Sequence, residues 1–280
     1  MKLKRGLSIY SNLPAIEDQV AINGGSVSGK KNISGFKYIK GAHIPKLDWR
    51  PLSQAEKDKL IATDSNIPYS KSLYIGDVPP KLKKVLQDME LDQCEKLEEI
   101  NIKLTSGWDA VRAATDELDV VLSEISTKKD FYFHKITTAV PNKETVTYFN
   151  KRKQPRYIGL HIDKSRNFRI HTANKSQNRI SINLSKETRY LVFLNLTLIQ
   201  VYNMIKKKVD TTQVHIHPNN IVEYFFKYYP DYPVTRVAQK PYQYYVAPTD
   251  NFLHDGCTLG NKNIDVTLVY IGSFDMPVVI

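Results

Sequence analysis

The spacing of apolar residues divides the chain into two textures. From Pro79-Pro80 onward, apolar residues at Leu82, Val85, Leu86, Met89, Leu97 and Ile100, and then at Trp108, Val111, Leu118, Val121, Leu122 and Ile125, follow a helical period. Such residues share one helix face, so the pattern predicts a long helix from Pro80 to about Ile100 and a further one after Trp108. Ser53-Gln54-Ala55-Glu56 has the capping-box form, in which a hydroxyl and a carboxylate satisfy the free amides of a helix start; a short helix to about Ala62 should follow. After Lys129 the texture becomes β-rich. Short runs at Phe131 to His134, Thr145 to Phe149, Tyr157 to His161, Arg179 to Leu184 and Tyr190 to Leu196 are separated by polar turns, and more follow at Val234 to Val237, Gln243 to Ala247 and Val266 to Ile271. A helical interlude, Ile199 to Lys207 and Asn220 to Tyr229, interrupts the series.

Many short strands in succession favour an antiparallel sandwich or barrel over a parallel sheet. Residues 1 to about 50 show no sustained period and are expected to be irregular, with one short strand. The expected organisation is a mixed α+β fold. An N-terminal irregular and helical region, 1–129, packs on a β domain, 130–280, that carries a helical insertion near 197–230.

Composition narrows the class. A chain of 280 residues can bury a sizeable core, and its 41% hydrophobic and 25% charged residues give no sign of disorder. No run of eighteen apolar residues occurs, and the basic start Met1-Lys2-Leu3-Lys4-Arg5-Gly6 lacks the apolar stretch of a secretory signal. Cys94 and Cys257 are too few for a disulfide framework or a four-cysteine zinc site, so a cytoplasmic protein without membrane attachment is expected. The net charge of +11 is spread along the chain, with small clusters at Lys151-Arg152-Lys153 and Lys206-Lys207-Lys208. A nucleic-acid footprint would be a concentrated stripe, so this dispersal argues against nucleic acid as the partner and leaves an acidic small molecule or carrier compatible. Gly24-Gly25-Ser26-Val27-Ser28-Gly29-Lys30-Lys31 approaches a phosphate-binding loop, but Lys31 stands where a magnesium-binding Ser or Thr belongs and no helix start follows; a flexible loop is the better reading.

The residues that carry chemistry lie in the β-rich part. Gly159-Leu160-His161-Ile162-Asp163 places a His and an Asp two apart at the end of a strand, where period-2 geometry points both side chains to one face. His254, in Asn251-Phe252-Leu253-His254-Asp255-Gly256, can supply a third ligand. Two imidazoles and a carboxylate on one side of a metal leave the other side open, as iron(II) needs in order to bind a co-substrate and dioxygen, although a zinc hydrolase uses similar ligands. His-X-Asp alone recurs by chance; its place at the end of a β run gives it weight. His171, the His215-Ile216-His217 pair and Cys257 read as turn, loop and buried-thiol residues. The tyrosines before His254 (Tyr228, Tyr229, Tyr232, Tyr242, Tyr244 and Tyr245) read mostly as packing residues.

On Tyr157 to Asp163, Arg179 to Leu184 and Ala247 to Gly256, the chain resembles the iron(II)/2-oxoglutarate-dependent oxygenases of the double-stranded β-helix (jelly-roll, cupin-like) fold, over roughly Phe131 to Phe274. The resemblance implies a double-stranded β-helix core with supporting N-terminal helices, and Fe(II) held by His161, Asp163 and His254 as the catalytic and metal residues. It also implies 2-oxoglutarate as co-substrate, with dioxygen and a small-molecule, amino-acid or carrier-bound substrate. Hydroxylation or desaturation of an unactivated carbon is expected, since Asp163 is retained where halogenating members lack the carboxylate. The family's usual Arg after the distal His has no counterpart here, because Asn263 to Ile280 contains neither Arg nor Lys. Arg179, Arg189 and Lys262 are the candidates to hold the far carboxylate of 2-oxoglutarate, with hydroxyl contacts from Thr267 and Tyr190. The alternative is a cupin-like metal-binding protein or metalloenzyme that does not use 2-oxoglutarate.

Overall fold

The computed structural model describes residues 1–63, 68–149, 155–164 and 168–275; the basic cluster at 151–153 lies outside the described residues. The first 63 residues hold five short strands, β1 (Ser8–Ser11), β2 (Val20–Ile22), β3 (Ser26–Ser28), β4 (His43–Pro45) and β5 (Arg50–Pro51), where one was expected. At two to four residues each they are too short to show an alternation. The phosphate-loop-like segment runs from β3 through a single 3-10 turn, Gly29–Lys31, with no helix behind it.

Helix α1 (Gln54–Leu60) starts at the expected cap, where Glu56 accepts from the Ser53 backbone N–H at 2.9 Å and pairs with Arg50 at 2.8 Å. Strand β6 (Ser72–Asp77) follows. The single long helix expected after Pro80 is two, α2 (Pro80–Gln87) and α3 (Leu97–Ser106). Glu90, at φ 50°, takes a left-handed conformation that a continuous helix cannot accommodate. Helix α4 (Trp108–Glu124) completes this group.

The rest of the chain is built mainly of strands: β7 (Tyr132–Ala139), β8 (Tyr148–Phe149), β9 (Arg156–Tyr157), β10 (Asn178–Asn183) and β11 (Arg189–Thr197). The interlude forms α5 (Leu198–Ile205) and α6 (Ile221–Tyr228), and β12 (Thr235–Gln239), β13 (Gln243–Ala247), β14 (Phe252–Cys257) and β15 (Asp265–Gly272) end the series.

Two sheets dominate, one ordered β1-β6-β13-β10-β15-β7 and the other β14-β11-β12-β2-β5. The N-terminal part therefore extends both sheets as well as packing on them. Within residues 132–272 the pairing is nested: β7 with β15, His161 with His254, β10 with β13, and β11 with β12, all antiparallel. This stretch is one long hairpin whose two arms cross repeatedly between the sheets. Further pairs, β10 with β15 and β11 with β14, join successive turns.

Alternation decides what each sheet face does. On β10, β13 and β15, Ile180, Ile182, Tyr244, Val246, Leu268 and Tyr270 point outward into a core shared with Leu82, Leu86, Leu118 and Leu122 of α2 and α4. Each such burial contributes roughly 2 kcal/mol. Their neighbours on the same strands, Arg179, Ser181, Tyr245, Asp265 and Thr267, line a cavity of about 390 Å³ between the sheets. A second core joins Phe193, Phe252 and Leu253 to Val201 and Ile205 of α5 and Phe225 of α6.

Candidate metal centre

His161 and His254, 93 positions apart by subtraction, meet as a cross-strand pair. The His161 N–H donates to the His254 carbonyl at 3.0 Å and the His254 N–H donates back at 2.7 Å. Residues that exchange both hydrogen bonds stand directly opposite, so their side chains share a face. Asp163, two residues on, returns to that face, and its N–H is held by the Thr249 carbonyl at 3.1 Å. Ligand atoms of the three side chains lie within 4.8 Å of one another. His161 Nε2 stands 3.7 Å and His254 Nε2 3.5 Å from the Asp163 carboxylate.

The orientation of each ring is fixed from behind. His161 Nδ1 lies 2.9 Å from the Gly159 carbonyl and His254 Nδ1 3.3 Å from the Phe252 carbonyl. A carbonyl only accepts, so both Nδ1 atoms donate and both Nε2 atoms face the carboxylate, the arrangement in which a neutral imidazole can ligate a metal. The imidazole distances exceed a hydrogen bond, and the buried Asp163 Oδ2 is met by the Arg179 guanidinium at 3.0 Å. Ligands about 2.1 Å from a shared metal stand about 3 Å apart, so small side-chain rotations suffice to enclose one. Two imidazole Nε2 atoms turned towards one carboxylate are a donor set that fits a divalent transition metal.

The local field is that of a cation site. Burial works against the His161 imidazolium, but the carboxylates of Asp163 and Asp255 outweigh it and push its pKa up to about 10. Burial likewise opposes the Asp163 carboxylate, yet the Arg179 guanidinium at 3.0 Å and the two imidazoles hold it well below the usual carboxylate range. A proton thus occupies this centre when no metal does.

The candidates for a co-substrate anchor separate by position. Arg179 lines the cavity beside Asp163. Arg189, only 5% exposed, lines it further along, with Nε donating to Asp265 at 3.1 Å and a terminal nitrogen to Gln239 at 3.3 Å. Its other terminal nitrogen reaches Gly256, where a Cβ would come within 2.5 Å of it. Lys262 is a correction to the expected set. It sits exposed in the turn before β15, its backbone N–H held by Glu187 at 3.0 Å, and it does not line the cavity. Thr267 lines the cavity, whereas Tyr190 faces away and lies against the Arg236 guanidinium.

Of the remaining residues, His171 packs edge-on against Tyr202, and the His215 and His217 rings flank the turn into α6, where Asn220 accepts from the His217 N–H at 2.9 Å. Cys257 is a buried thiol whose pKa burial pushes up to about 11. Among the tyrosines, Tyr245 lines the cavity. Sequence reasoning missed Asp255, fully buried and 3.6 Å from His161 Nδ1. The available signal was an acidic residue beside a candidate ligand His within a strand, which period-2 geometry turns away from the cavity and into the protein.

No family model matches the chain, and no curated protein does. Among solved structures it is similar to the apo form of the Kdo hydroxylase KdoO, a non-heme Fe(II) alphaketoglutarate dependent dioxygenase. The identity is 11% and the TM-score 0.36, with 72% of this chain and 79% of that one covered. For the cobalt(II) complex of KdoO the identity is 12% and the TM-score 0.38, covering 72% and 80%. For its complex with alphaketoglutarate and Fe(III) the values are 11% and 0.36, covering 72% and 79%. Among the described residues no helix is long and apolar enough to cross a membrane.

Proposed function

We propose that the chain is an iron(II)- and 2-oxoglutarate-dependent oxygenase on a double-stranded β-helix, hydroxylating an unactivated carbon of a small polar substrate. The nested hairpin that alternates between two sheets supports the fold. The observation that carries the function is the convergence of His161 Nε2, His254 Nε2 and the Asp163 carboxylate on the wall of one cavity. Three protein ligands on one side leave the cavity side of a metal for exchangeable ligands. Iron(II), when bound, supplies the activation of dioxygen that is coupled to oxidation of 2-oxoglutarate to succinate and carbon dioxide.

The protein's own part is to bind, orient and exclude. Arg179 holds the Asp163 carboxylate in place and keeps it ionised. Arg189 is the anchor we assign to the far carboxylate of 2-oxoglutarate. It reaches the wall at Gly256, two residues or about 7 Å of strand beyond His254, a gap that a five-carbon diacid spans. Gly256 leaves that guanidinium uncovered, and Asp265 and Gln239 fix its orientation. Lys135, Thr137 and Thr267 add basic and hydroxyl groups to a wall shared with Ile136, Val146 and Val269, which suits a small acidic or hydroxylated substrate.

Anaerobic addition of iron(II) and 2-oxoglutarate is expected to give a weak visible charge-transfer band, and admission of air to give succinate. His161→Ala and His254→Ala should abolish both. Absence of band and succinate from iron-loaded protein overturns the reading. The second reading, a metalloprotein that uses no keto-acid, is favoured by the fact that Arg179 and Arg189 already face Asp163 and Asp265. Tight metal binding without the band would select it.

A further inference from the structure

Asp255 presents an unusual division of labour between its two carboxylate oxygens. Its side chain is fully buried. One oxygen accepts four donors: the Thr147 hydroxyl at 2.8 Å, the Thr147 and Val146 backbone N–H groups at 3.2 and 3.3 Å, and the Gly256 N–H at 2.7 Å. The other oxygen is buried without a hydrogen-bond partner and stands 3.6 Å from His161 Nδ1. Buried carboxylate oxygens are costly unless compensated, so a fully saturated Oδ1 beside an orphaned Oδ2 calls for an explanation. Four donors on one oxygen lock the carboxylate plane, and the lock aims the bare oxygen at the back of the His161 ring.

We propose that Asp255 is a positioning residue of the metal centre. Its bare oxygen, with the Gly159 carbonyl, keeps Nδ1 of His161 as the donor side and Nε2 as the ligand side. Its charge behind the ring makes Nε2 a stronger donor, as outer carboxylates do for metal-bound histidines. The inference rests on the metal reading of the triad. It adds a link to the cavity wall, because Thr147, which holds Asp255, lines both the cavity of about 390 Å³ and a neighbouring one of about 480 Å³ that also borders His161 and Asp163. The wall segment 146–147 and the ligand His161 are therefore tied through one carboxylate.

The test is cobalt(II) titration of wild-type protein, Asp255→Asn and Thr147→Val, with thermal melting of each metal-free protein alongside. Asp255→Asn keeps the shape and removes the charge. It is expected to weaken cobalt(II) binding roughly 10- to 100-fold and to shift the cobalt absorption spectrum. Thr147→Val removes one of the four donors, so it should weaken binding by less, about 3- to 10-fold. It also serves as the probe if the Asn variant does not fold. If wild type binds cobalt(II) and both variants bind equally well with unchanged spectra, the positioning role is overturned while the metal reading stands. Lowered melting with unchanged cobalt affinity assigns Asp255 a structural role only and overturns the proposal too. If wild type binds no cobalt(II), both readings fall.

Discussion

The two faces of the six-stranded sheet use adjacent residues of the same strands for opposite ends. Outward, Ile180, Ile182, Leu268 and Tyr270 are buried against the helices and hold the sheet to them. Inward, Arg179, Ser181, Asp265 and Thr267 line a cavity with charges and hydroxyls, beside the apolar Val269. The outer face gains free energy from removing apolar surface from water, and the inner face gives up part of that gain to keep charges and hydroxyls aimed into the cavity. One period-2 alternation thus separates stability from chemistry within a single strand.

The largest effect is expected at Arg189, which faces the same cavity from β11 of the other sheet and is buried in an ion pair with Asp265 of β15. Arg189→Leu should leave Asp265 uncompensated and destabilise the protein by about 3 to 5 kcal/mol in denaturant titrations, as well as abolish the 2-oxoglutarate band. Arg189→Leu with Asp265→Leu should recover most of the stability and none of the co-substrate binding. Recovery of both would show that Arg189 serves the fold and not the ligand. On the outer face, Ile182→Ala should cost about 3 kcal/mol by leaving a cavity under the helices, with metal affinity unchanged within error. A change in metal affinity there would break the separation of the two faces.

A smaller effect is expected from pH. The folded, metal-free protein holds the His161 pKa at about 10, above the ordinary value near 6.5, so the proton stabilises the fold fully below pH about 6.5 and that contribution is lost as pH rises through 10. Metal must displace the same proton. Cobalt(II) affinity should therefore rise with pH, by up to about tenfold per unit between pH 7 and 9, or about 1.4 kcal/mol per unit. A flat titration over that range would mean that His161 binds metal without giving up a proton.

Much of the site was legible in the sequence because it depends on local period. His161 and Asp163 share a face by their spacing alone, and the strand runs carrying Arg179 and Thr267 were visible as β-rich. What was not legible depends on pairing. Nothing local says that His254 stands opposite His161, since that follows from the nested hairpin. Arg189 and Lys262 part because Arg189 lies on β11 and reaches the cavity, whereas Lys262 stands in an exposed turn whose backbone Glu187 holds. The N-terminal strands were missed because Val20–Ile22 and Ser26–Ser28 are too short to show alternation and are held by partners distant in the chain or by backbone pairing alone. The helix break at Glu90 was hidden because Leu97 and Ile100 stand in helical phase with Leu86 and Met89, although Asp92, Gln93 and Lys96 interrupt the stripe between them.

The smallest effect gives the sharpest version of the comparison, because Ser181 and Ile182 are consecutive. Ser181 lines the cavity through its side chain, while its backbone carbonyl accepts from Gln239 at 2.8 Å. Ser181→Ala keeps the backbone bond and removes only a hydroxyl from a polar wall, so stability should change by no more than about 0.5 kcal/mol. If the inner face is reserved for ligands, this variant should alter binding of 2-oxoglutarate or of the small polar substrate while its melting curve overlays wild type, the reverse of Ile182→Ala. A stability loss comparable to that of Ile182→Ala would show that the hydroxyl is part of the fold's own hydrogen bonding, and the division between the two faces would then begin deeper than this row of the sheet.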